Sequence, residues 1–405
     1  MKILYFTSFF APENIAGAFR ASDHSGLWQE VGNDVTVFTG WPNYPTGILA
    51  HGYEMVQFGE ERINGVRVFR SASKIQPNTS FKKRIESGVS FIAGGLKNLK
   101  KGSPVGVDYD VVLVTCGTVF AAWLGVHYAK KHKLPLVVEF RDLTYKQMIA
   151  AGGSEGGAKV QAMKKLELAF CRAANKIVVL TEGFKEDLVK EGMRNSDIYV
   201  VPNGADIIPC EHDWNKCLRF GYFGTMGLSQ DVPTTLDYAA KLYKKGLISN
   251  YCLIGEGAAR SAVEKAIDAS DGEYLTLLHG MPMTELEKYY SAVDMTVVSL
   301  QKNESFAGTI PSKIFQSFAR GVPVLFVGPE GEAAQLIRDS GGGLALTGKS
   351  DEDLRILSSF AEREDLTKAL DEMSKAAIEF IEQNYTRKIL AGKMLDVLTH
   401  VSKAI

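Results

Sequence analysis

Residues 304–324 read ESFAGTIPSKIFQSFARGVPV, and this stretch decides how the rest of the chain is interpreted. Pro311 suits the first position of a helix, because its fixed φ is already helical and no N–H is needed there. Thr309 and Ser312 stand where side-chain oxygens can accept hydrogen bonds from the first amides, and Gly308 lets another group approach the backbone closely. The stretch therefore predicts a short capped helix that begins near Pro311.

The predicted helix has two different faces. Ile314, Phe315 and Phe318 would anchor it in a core, whereas Lys313 and Gln316, three residues apart, share the other face. Unpaired amides, the positive end of the helix dipole and a Lys ammonium would then meet at one place, which is typical of an anion-binding site. The alternative interpretation is a purely structural capped helix.

A regular alternation of strands and helices surrounds this segment. Predicted strands in the first half are residues 2–6, 34–39, 66–70, 110–115, 135–140 and 176–181. After the turn cluster VVPNG the alternation starts again, with predicted strands at 219–223, 250–254, 275–279, 295–300, 323–327 and 344–347. Runs such as VVLVT and LVVEF are apolar without alternation, as in strands covered on both faces. The fold class is therefore α/β, with doubly wound parallel sheets.

The chain is too long for a single domain. A hydrophobic core stops growing at roughly 250–300 residues, and this chain has 405. We predict an N-terminal domain at 1–203 and a C-terminal domain at 204–385, with a helical segment at 386–405 that returns to the first domain. Two such Rossmann-like domains would face a central cleft, and parallel α/β sheets bind ligands at the carboxyl ends of their strands.

The composition excludes several classes of protein. With 45% hydrophobic and 23% charged residues the chain is globular, and 46 Lys and Arg against 47 Asp and Glu do not favour nucleic acid as a partner. Its five cysteines are scattered without a C-x-x-C pair, which predicts no zinc site and fits a reducing cytoplasm. No run reaches the roughly 18–20 apolar residues of a membrane-spanning helix. We therefore expect a cytoplasmic protein that can touch a membrane without crossing it.

One segment departs from the alternation. Residues 80–102, SFKKRIESGVSFIAGGLKNLKKG, carry six Lys or Arg and one Glu among apolar residues at near-helical spacing. This pattern suits a surface helix that rests on anionic lipid or covers a lipid-linked substrate, with Lys82, Lys83 and Arg84 as its first basic residues. An equally open interpretation is a solvated helix whose apolar face packs on its own domain.

Two further patterns match ligand motifs only formally. Residues 343–350 fit G-x-x-x-x-G-K-S, but their middle residues read as the strand itself, whereas a phosphate-binding loop must follow its strand. We interpret them as a strand, a glycine turn and a helix cap formed by Ser350 and Asp353. The D-x-D triplet at 108–110 precedes a strand instead of ending one, so we interpret it as a turn and expect no metal there.

Several predicted strands end in loops that suit ligand binding. GYFGTMG at 221–227 and GEG at 255–257 could present backbone amides to a diphosphate or face a nucleotide. In the first domain PENIAG at 12–17 is the equivalent loop, and the strand ending in EFRD places Arg141 and Asp142 at the carboxyl edge of its sheet. A plain surface Arg–Asp pair is the alternative for the last two.

Taken together, these motifs resemble a known family. The sequence is similar to the retaining glycosyltransferases of family 4, which have the GT-B fold. It is most similar to members that add an N-acetylated amino sugar, such as those of the L-fucosamine type, during assembly of bacterial surface polysaccharides. The resemblance covers essentially the whole chain, through KILYFTSFFAPENIAGAFR, VTVFTGWPNYPTG, EFRDL, VPNGAD, FGYFGTMG, LIGEG and GTIPSKIFQSFARGVPV.

The resemblance implies roles for individual residues. Lys313 would be the counter-ion of the donor diphosphate and an electrostatic catalyst. Gly17 would approach the diphosphate or the acceptor, Asp142 would contact the transferred sugar or an acceptor hydroxyl, and Arg141 would lie on the acceptor side. The implied donor-binding residues are Gly224, Thr225, Glu256, Gly257, Met281, Gly308, Thr309, Ile310, Pro311, Ser312 and Gln316.

Two departures from the family pattern concern the charge of the donor site. The family usually carries two carboxylates eight positions apart, and here those positions hold Gly308 and Gln316. Gln316, where the family's carboxylate binds ribose hydroxyls, is neutral and a weaker acceptor. The basic residues often found after FGYFGTMG are replaced by SQD at 229–231. Neutralisation of the diphosphate therefore falls to Lys313 and to helix N-termini.

The resemblance predicts an enzyme of the glycosyltransferase class. It would transfer a sugar from a UDP-sugar to a hydroxyl of a saccharide on a polyprenyl diphosphate, with retention at the anomeric carbon, in O-antigen or capsule biosynthesis. No metal and no other cofactor is expected, because amides and one cation can stabilise the departing diphosphate. The protein would associate peripherally with the cytoplasmic face of the inner membrane.

Three alternatives remain open. A UDP-sugar 2-epimerase of the same fold would act without an acceptor, and a non-catalytic sugar-nucleotide-binding protein would bind without turnover. An ATPase would need Lys349 to contact phosphate, against the sequence context of that residue.

Overall fold

The computed structural model describes residues 1–13, 15–44, 46–77, 81–150, 152–227, 229–268 and 272–403. Ser80, at the head of the basic segment, and Asn14, in the PENIAG loop, lie outside the described residues. The chain forms two compact units. Unit 1 comprises Met1–Ile149, Gly153–Asn203 and Arg387–Ile405, and unit 2 comprises Ala150–Gly152 and Gly204–Thr386.

Unit 1 is built on a twisted, mostly parallel sheet. Its described strands are β1 (Lys2–Phe6), β2 (Asp34–Gly40), β3 (Phe58–Ile63), β4 (Val66–Ser71), β5 (Val111–Thr115), β6 (Leu136–Phe140), β7 (Lys176–Val179) and β8 (Ile198–Val200). They are ordered β3-β4-β2-β1-β5-β6-β7-β8, and neighbours are parallel except β3 and β4. β1 pairs with β2 on one side and with β5 on the other, so the order in which the chain adds strands reverses at β1. Parallel sheets bind ligands at such a point.

Unit 2 has a second, wholly parallel sheet. Its described strands are β9 (Leu218–Phe223), β10 (Ile248–Ile254), β11 (Leu275–Leu278), β12 (Met295–Ser299), β13 (Val324–Val327) and β14 (Gly343–Leu346). Their order is β11-β10-β9-β12-β13-β14. The reversal between β10 and β12, on the two sides of β9, repeats the arrangement of unit 1.

Helices connect these strands and cover both faces of each sheet. Those of unit 1 are α1 (Ala16–Glu30), α2 (Phe81–Asn98), α3 (Val119–His132), α4 (Thr144–Ala150), α5 (Ala158–Ala173) and α6 (Glu182–Lys190). Those of unit 2 are α7 (Val232–Lys244), α8 (Arg260–Asp268), α9 (Met283–Tyr290), α10 (Ser312–Phe318), α11 (Glu332–Ser340), α12 (Ser350–Ala361) and α13 (Leu366–Asn384). Single 3₁₀ turns lie at Asn195–Asp197 and Glu304–Phe306.

The apolar strands of unit 1 are buried on both faces, as their composition predicts. In β1, Leu4 and Phe6 belong to one hydrophobic cluster, whereas Ile3 and Tyr5 belong to another. A strand that alternates between two cores has apolar surroundings on both faces, which explains the long apolar runs. The parallel doubly wound sheet is confirmed.

The last helix, α14 (Arg387–Lys403), returns to unit 1. Trp28 of α1 donates a hydrogen bond from Nε1 to the Ala391 carbonyl at 2.8 Å, and Arg387 pairs with Asp23 at 3.0 Å. The predicted helix break near residue 385 lies between α13 and α14. The C-terminal helix α14 thus belongs to the same compact unit as α1.

The sequence prediction missed the edge hairpin of unit 1. β3 reads FGEERI and pairs with β4 through a two-residue turn in which Asn64 and Gly65 have φ of 49° and 79°. A charged edge strand lacks the apolar signature of the central strands. The Asn-Gly turn was the available signal, because both of its residues tolerate positive φ.

Candidate functional site

Two strand-end loops of unit 2 are joined through their backbones. Gly224, after β9, donates its N–H to the Ile254 carbonyl at 2.8 Å, and Met226 donates to the Glu256 carbonyl at 2.7 Å. A Cβ on Gly255 would overlap the Gly224 carbonyl oxygen, so only glycine permits this approach. Gly257 is likewise pressed against the Met226 carbonyl. The glycines that the sequence placed near a diphosphate thus shape two loops into one surface.

Lys313, at the second position of α10, extends onto this surface. Its Nζ donates a hydrogen bond to the Thr225 carbonyl at 2.9 Å and lies 3.8 Å from the ring centroid of Tyr222. Its Cε would be 3.1 Å from a Cβ built on Gly224, whose φ is +115°. Three residues predicted to meet the same ligand, Gly224, Thr225 and Lys313, are therefore together.

The environment of this ammonium group is unusual. Lys313 is half-buried, and no carboxylate among the described residues forms an ion pair with it. Loss of hydration lowers the pKa of Lys313 to about 7, because the charged form is disfavoured where water is excluded. A negatively charged ligand at this position would restore the charge.

The start of α10 differs from the prediction. The helix begins at Ser312 with Pro311 at the cap position, and no side chain caps it, so Thr309 and Ser312 do not act through their hydroxyls. Thr309 instead donates its N–H to the Phe306 carbonyl at 3.0 Å. Proline supplies no oxygen for a cap, which leaves the first-turn amides without side-chain acceptors. Gly308 and Ile310 flank Thr309 in the half-buried loop that precedes the helix.

Gln316 is already engaged inside the protein. Arg320, fully buried, donates from Nη1 to the Gln316 side-chain oxygen at 3.1 Å and to its carbonyl at 2.9 Å. The same guanidinium pairs with Glu287 and lies 4.6 Å from the Tyr290 ring centroid. Because arginine only donates, the Gln316 oxygen must face it, and the amide NH₂ is the group left for a ligand.

The remaining predicted nucleotide residues lie along the ends of β10 and β11. Glu256, with 56% of its side chain exposed, accepts from the Gly280 amide at 3.2 Å and pairs with His279 at 2.8 Å. The His279 hydrogen bond lowers the pKa of Glu256. Met281 packs on a small apolar cluster that contains Phe223 of β9. These contacts hold the loops of neighbouring strands beside each other.

The predicted residues of unit 1 also meet at a carboxyl edge. Arg141, which follows β6, lies so close to Gly17 of α1 that a Cβ there would overlap its Nη1. Phe9, after β1, closes the other side at 3.6 Å from that Cβ position. Asp142 is exposed, yet the surrounding protein raises its pKa to about 6. Arg141 and Asp142 form no ion pair among the described residues, although the charge of Arg141 opposes the rise in the pKa of Asp142.

Sequence reasoning missed the buried polar residues beneath this edge. Glu13 accepts backbone hydrogen bonds from Asn43 and Tyr44, both at 3.0 Å, and so joins the loops after β1 and β2. Arg20 pairs with Glu139 at 2.8 Å and donates to the Val201 and Pro202 carbonyls. No local pattern announces such contacts, because their partners are far apart in the sequence.

The basic segment forms α2, which packs on its own domain and also exposes apolar residues that could meet a lipid. One face packs on unit 1 through Phe91. On the opposite face Ile85, Val89 and Leu96 remain 39%, 54% and 39% exposed. The basic residues predicted for an acceptor or membrane role, Lys82, Lys83 and Arg84, lie in its first turn.

The two segments that match ligand motifs only formally, 343–350 and 108–110, form a strand, turns and a helix start. Residues Gly343–Leu346 are strand β14 itself, so they form no phosphate-binding loop. Asp353 accepts a hydrogen bond from the Gly348 amide at 2.9 Å, whereas the predicted Ser350 cap is absent because Lys349 occupies the cap position. Asp110, of the D-x-D triplet, accepts from the Lys2 amide at 2.7 Å. Among the described residues no group of acidic, His and Cys side chains suits a metal ion.

Neither unit contains a membrane-spanning segment in its described part: no helix there is both long and apolar enough to cross a bilayer.

Comparison with known proteins places this geometry in context. Residues 24–204 match the glycosyl transferase 4-like domain. No curated protein matches the chain in sequence. The first half of the chain is therefore similar to this glycosyltransferase domain.

Solved structures resemble the whole chain. Sucrose-phosphate synthase from Thermosynechococcus elongatus superposes with a TM-score of 0.75 at 14% identity, covering 100% of both chains. Anabaena Alr3699/HepE in complex with UDP gives 0.68 at 14% identity, over 99% of this chain and 100% of that one. The catalytic domain of starch synthase IV from Arabidopsis thaliana, bound to ADP and acarbose, gives 0.67 at 10% identity, over 100% and 99%. The fold is therefore GT-B, with two Rossmann-like domains.

Proposed function

We propose that this glycosyltransferase transfers a sugar from a UDP-sugar to a saccharide carried on a polyprenyl diphosphate, with retention at the anomeric carbon and without a metal ion. The observation that carries the proposal is the position of Lys313, whose ammonium lies on Thr225 and Tyr222 without a carboxylate partner among the described residues. UDP is the nucleotide bound in Anabaena Alr3699/HepE, which has the same fold.

The donor site follows from the loops of unit 2. A diphosphate placed above Gly224 would accept hydrogen bonds from Lys313 Nζ and from the first-turn amides of α10. When the bond between the sugar and UDP breaks, negative charge grows on the β-phosphate, and preorganised donors stabilise that charge most where water is excluded. The amide NH₂ of Gln316, three residues after Lys313, would donate to an oxygen of the nucleotide.

Unit 1 would present the acceptor. Asp142 would accept a hydrogen bond from the attacking hydroxyl and orient it, and Gly17 would leave room beside it. The anomeric C–O bond to UDP breaks, a C–O bond to the acceptor forms on the same face, and the hydroxyl proton passes to the departing β-phosphate. This balance requires no protein base, so Asp142 acts by orientation.

The lipid-linked acceptor is supported by α2. Its exposed apolar residues lie between basic ones at both ends, and a helix of this kind binds an anionic lipid surface by burying its apolar face at the headgroup boundary. An enzyme whose acceptor is anchored in the inner membrane gains from such attachment. An N-acetylated amino sugar as donor, and a role in O-antigen or capsule assembly, are proposed on the resemblance of the motifs alone.

A panel of UDP-sugars tests this proposal through thermal stabilisation, followed by turnover with a lipid-linked saccharide. We expect one UDP-sugar to raise Tm, because a ligand of the native state stabilises it by mass action. The Lys313→Met variant should lose this stabilisation, whereas the matched Lys349→Met variant should keep it. Loss in Lys349→Met alone would favour an ATPase. Conversion of the UDP-sugar without acceptor would indicate an epimerase, and stabilisation without any turnover would indicate a binding protein.

A further inference from the structure

Arg141 is a charged side chain that Glu139 and Asp142 attract, although it forms an ion pair with neither. Its Nε is buried without a hydrogen-bond partner, and the guanidinium forms no hydrogen bond or ion pair with a described residue. The residue as a whole is only half-buried, so its outer nitrogens can be reached from solvent. A guanidinium has five N–H donors and no acceptor, and leaving a buried one unpaired is costly for a folded protein.

The nearest carboxylates attract Arg141 but accept no hydrogen bond from it. Glu139, two residues earlier in the chain, is fully engaged: one oxygen accepts from Arg20 at 2.8 Å and the other from Thr115 at 2.6 Å. Asp142 is adjacent in sequence but forms no ion pair with Arg141, and its side chain is exposed. The N–H donors of Arg141 are therefore available to a ligand.

The surroundings leave room for one. Gly17 lies against the guanidinium, and any side chain at that position would push Nη1 away. The Ser8 and Thr118 hydroxyls lie 2.7 Å apart. They follow β1 and β5, the neighbouring strands at which the strand order of the sheet reverses. Ligands of parallel α/β sheets bind at this edge. A planar guanidinium at such a place matches the geometry of a phosphate group, to which it can donate two parallel hydrogen bonds.

We infer that Arg141 and Gly17 form an oxyanion site within unit 1, whose ligand is a phosphoryl group of the lipid diphosphate that carries the acceptor. The identity of this ligand rests on the proposed function, whereas the anion site itself does not. The shared chemistry is a phosphate ester, and either the acceptor lipid or the donor nucleotide could supply it. Because all the residues of this site belong to unit 1, variants can separate it from the Lys313 site of unit 2.

The experiment measures binding of two probes to the full chain by isothermal titration calorimetry. Farnesyl diphosphate stands for the lipid diphosphate, with farnesol as its uncharged control, and UDP stands for the donor. The variants are Arg141→Met, Arg141→Lys, Lys313→Met and, as a matched control on the exposed side of α5, Arg172→Met.

The inference predicts a crossed pattern. In Arg141→Met the affinity for farnesyl diphosphate should fall at least about ten-fold, with a smaller loss in Arg141→Lys, because a charge-assisted bidentate contact is removed. Lys313→Met and Arg172→Met should bind farnesyl diphosphate as the wild type does, and farnesol should not distinguish any of the proteins. UDP binding should weaken in Lys313→Met and persist in Arg141→Met.

Stability provides a second readout. Burial lowers the pKa of Arg141 in spite of the attraction of Glu139 and Asp142, so the charge costs the fold more than it contributes. The Tm of Arg141→Met should therefore equal or exceed that of the wild type, whereas a structural arginine would lower Tm when removed. The inference is overturned if Arg141→Met binds farnesyl diphosphate like the wild type. It is also overturned if this variant loses UDP instead, or if its Tm falls. Failure of the proposed function would look different: no UDP-sugar would bind, while farnesyl diphosphate would still depend on Arg141.

Discussion

The charge of Lys313 gives the sharpest quantitative prediction. With a pKa of about 7 in the free protein, Lys313 is mostly neutral at pH 8. A bound diphosphate would return its pKa toward the ordinary value of 10.5. UDP binding should therefore take up about 0.9 proton at pH 8, about 0.5 at pH 7 and about 0.1 at pH 6. The same linkage weakens UDP binding by roughly five-fold from pH 7 to 8 and by roughly nine-fold from pH 8 to 9.

Titration calorimetry in two buffers of different ionisation enthalpy measures this proton uptake directly. At pH 8 the terminal phosphate of UDP is already ionised, since its pKa is near 6, so its own proton does not contribute. Lys313→Met should take up no proton and should bind UDP roughly 10- to 100-fold more weakly at pH 7, the cost of losing a hydrogen bond to a charged group. Lys313→Arg should keep much of the affinity without proton uptake, because arginine is always charged.

Two results would refute this reasoning. One is equal proton uptake by the wild type and Lys313→Met, which would assign the proton to another group. The other is a wild-type affinity that does not change between pH 7 and 9, which would mean that the ammonium does not meet the diphosphate. Lys349→Met serves as the control, because this exposed lysine should leave both quantities unchanged.

Three other predictions concern separate parts of the molecule. The pKa of Asp142 is raised to about 6, so the folded protein favours its protonated form; the resulting stabilisation is complete below pH 3.8 and is lost as pH rises through about 6. Asp142→Asn should therefore raise Tm at pH 7.5 and leave it unchanged at pH 3.5. An equal gain in Tm at both pH values would contradict this. Gly255→Ala places a methyl group against the Gly224 carbonyl oxygen of the adjacent loop. It should lower the free energy of unfolding in urea by about 3 kcal/mol or more and should also abolish UDP binding. A loss of stability under about 1 kcal/mol would show that the two loops can move apart. Val89→Asp should reduce flotation with anionic liposomes, whereas Val189→Asp on α6 should not; equal effects would remove α2 from membrane binding.

The central strands were predictable because strands buried on both faces are almost entirely apolar in sequence. Each residue of β5 and β6 is buried, and the two polar side chains there, Thr115 and Glu139, are hydrogen-bonded to each other. The β3 edge strand and the three-residue β8 have no long apolar run. Their formation depends on neighbours in the sheet, which a linear pattern does not record.

The sequence predicted which residues lie in the candidate site, but it did not predict the contacts between their side chains. Glycines that end strands, and a lysine one position into a helix, are visible in the sequence as an anion-binding pattern. That Lys313 lies over Tyr222, or that Gln316 turns its oxygen toward Arg320, depends on side chains brought together by folding. The same holds for Arg141, whose lack of a partner is visible only once Glu139 is seen to be engaged elsewhere.

A crystal structure of the protein with UDP, grown in EDTA, tests the central claim most directly. The account predicts a β-phosphate oxygen within about 3 Å of Lys313 Nζ, beside Gly224 and Thr225, with no metal ion on the diphosphate. The account is contradicted if UDP occupies another part of the molecule, or if it binds only when a divalent cation is supplied while Lys313 stays on the Thr225 carbonyl.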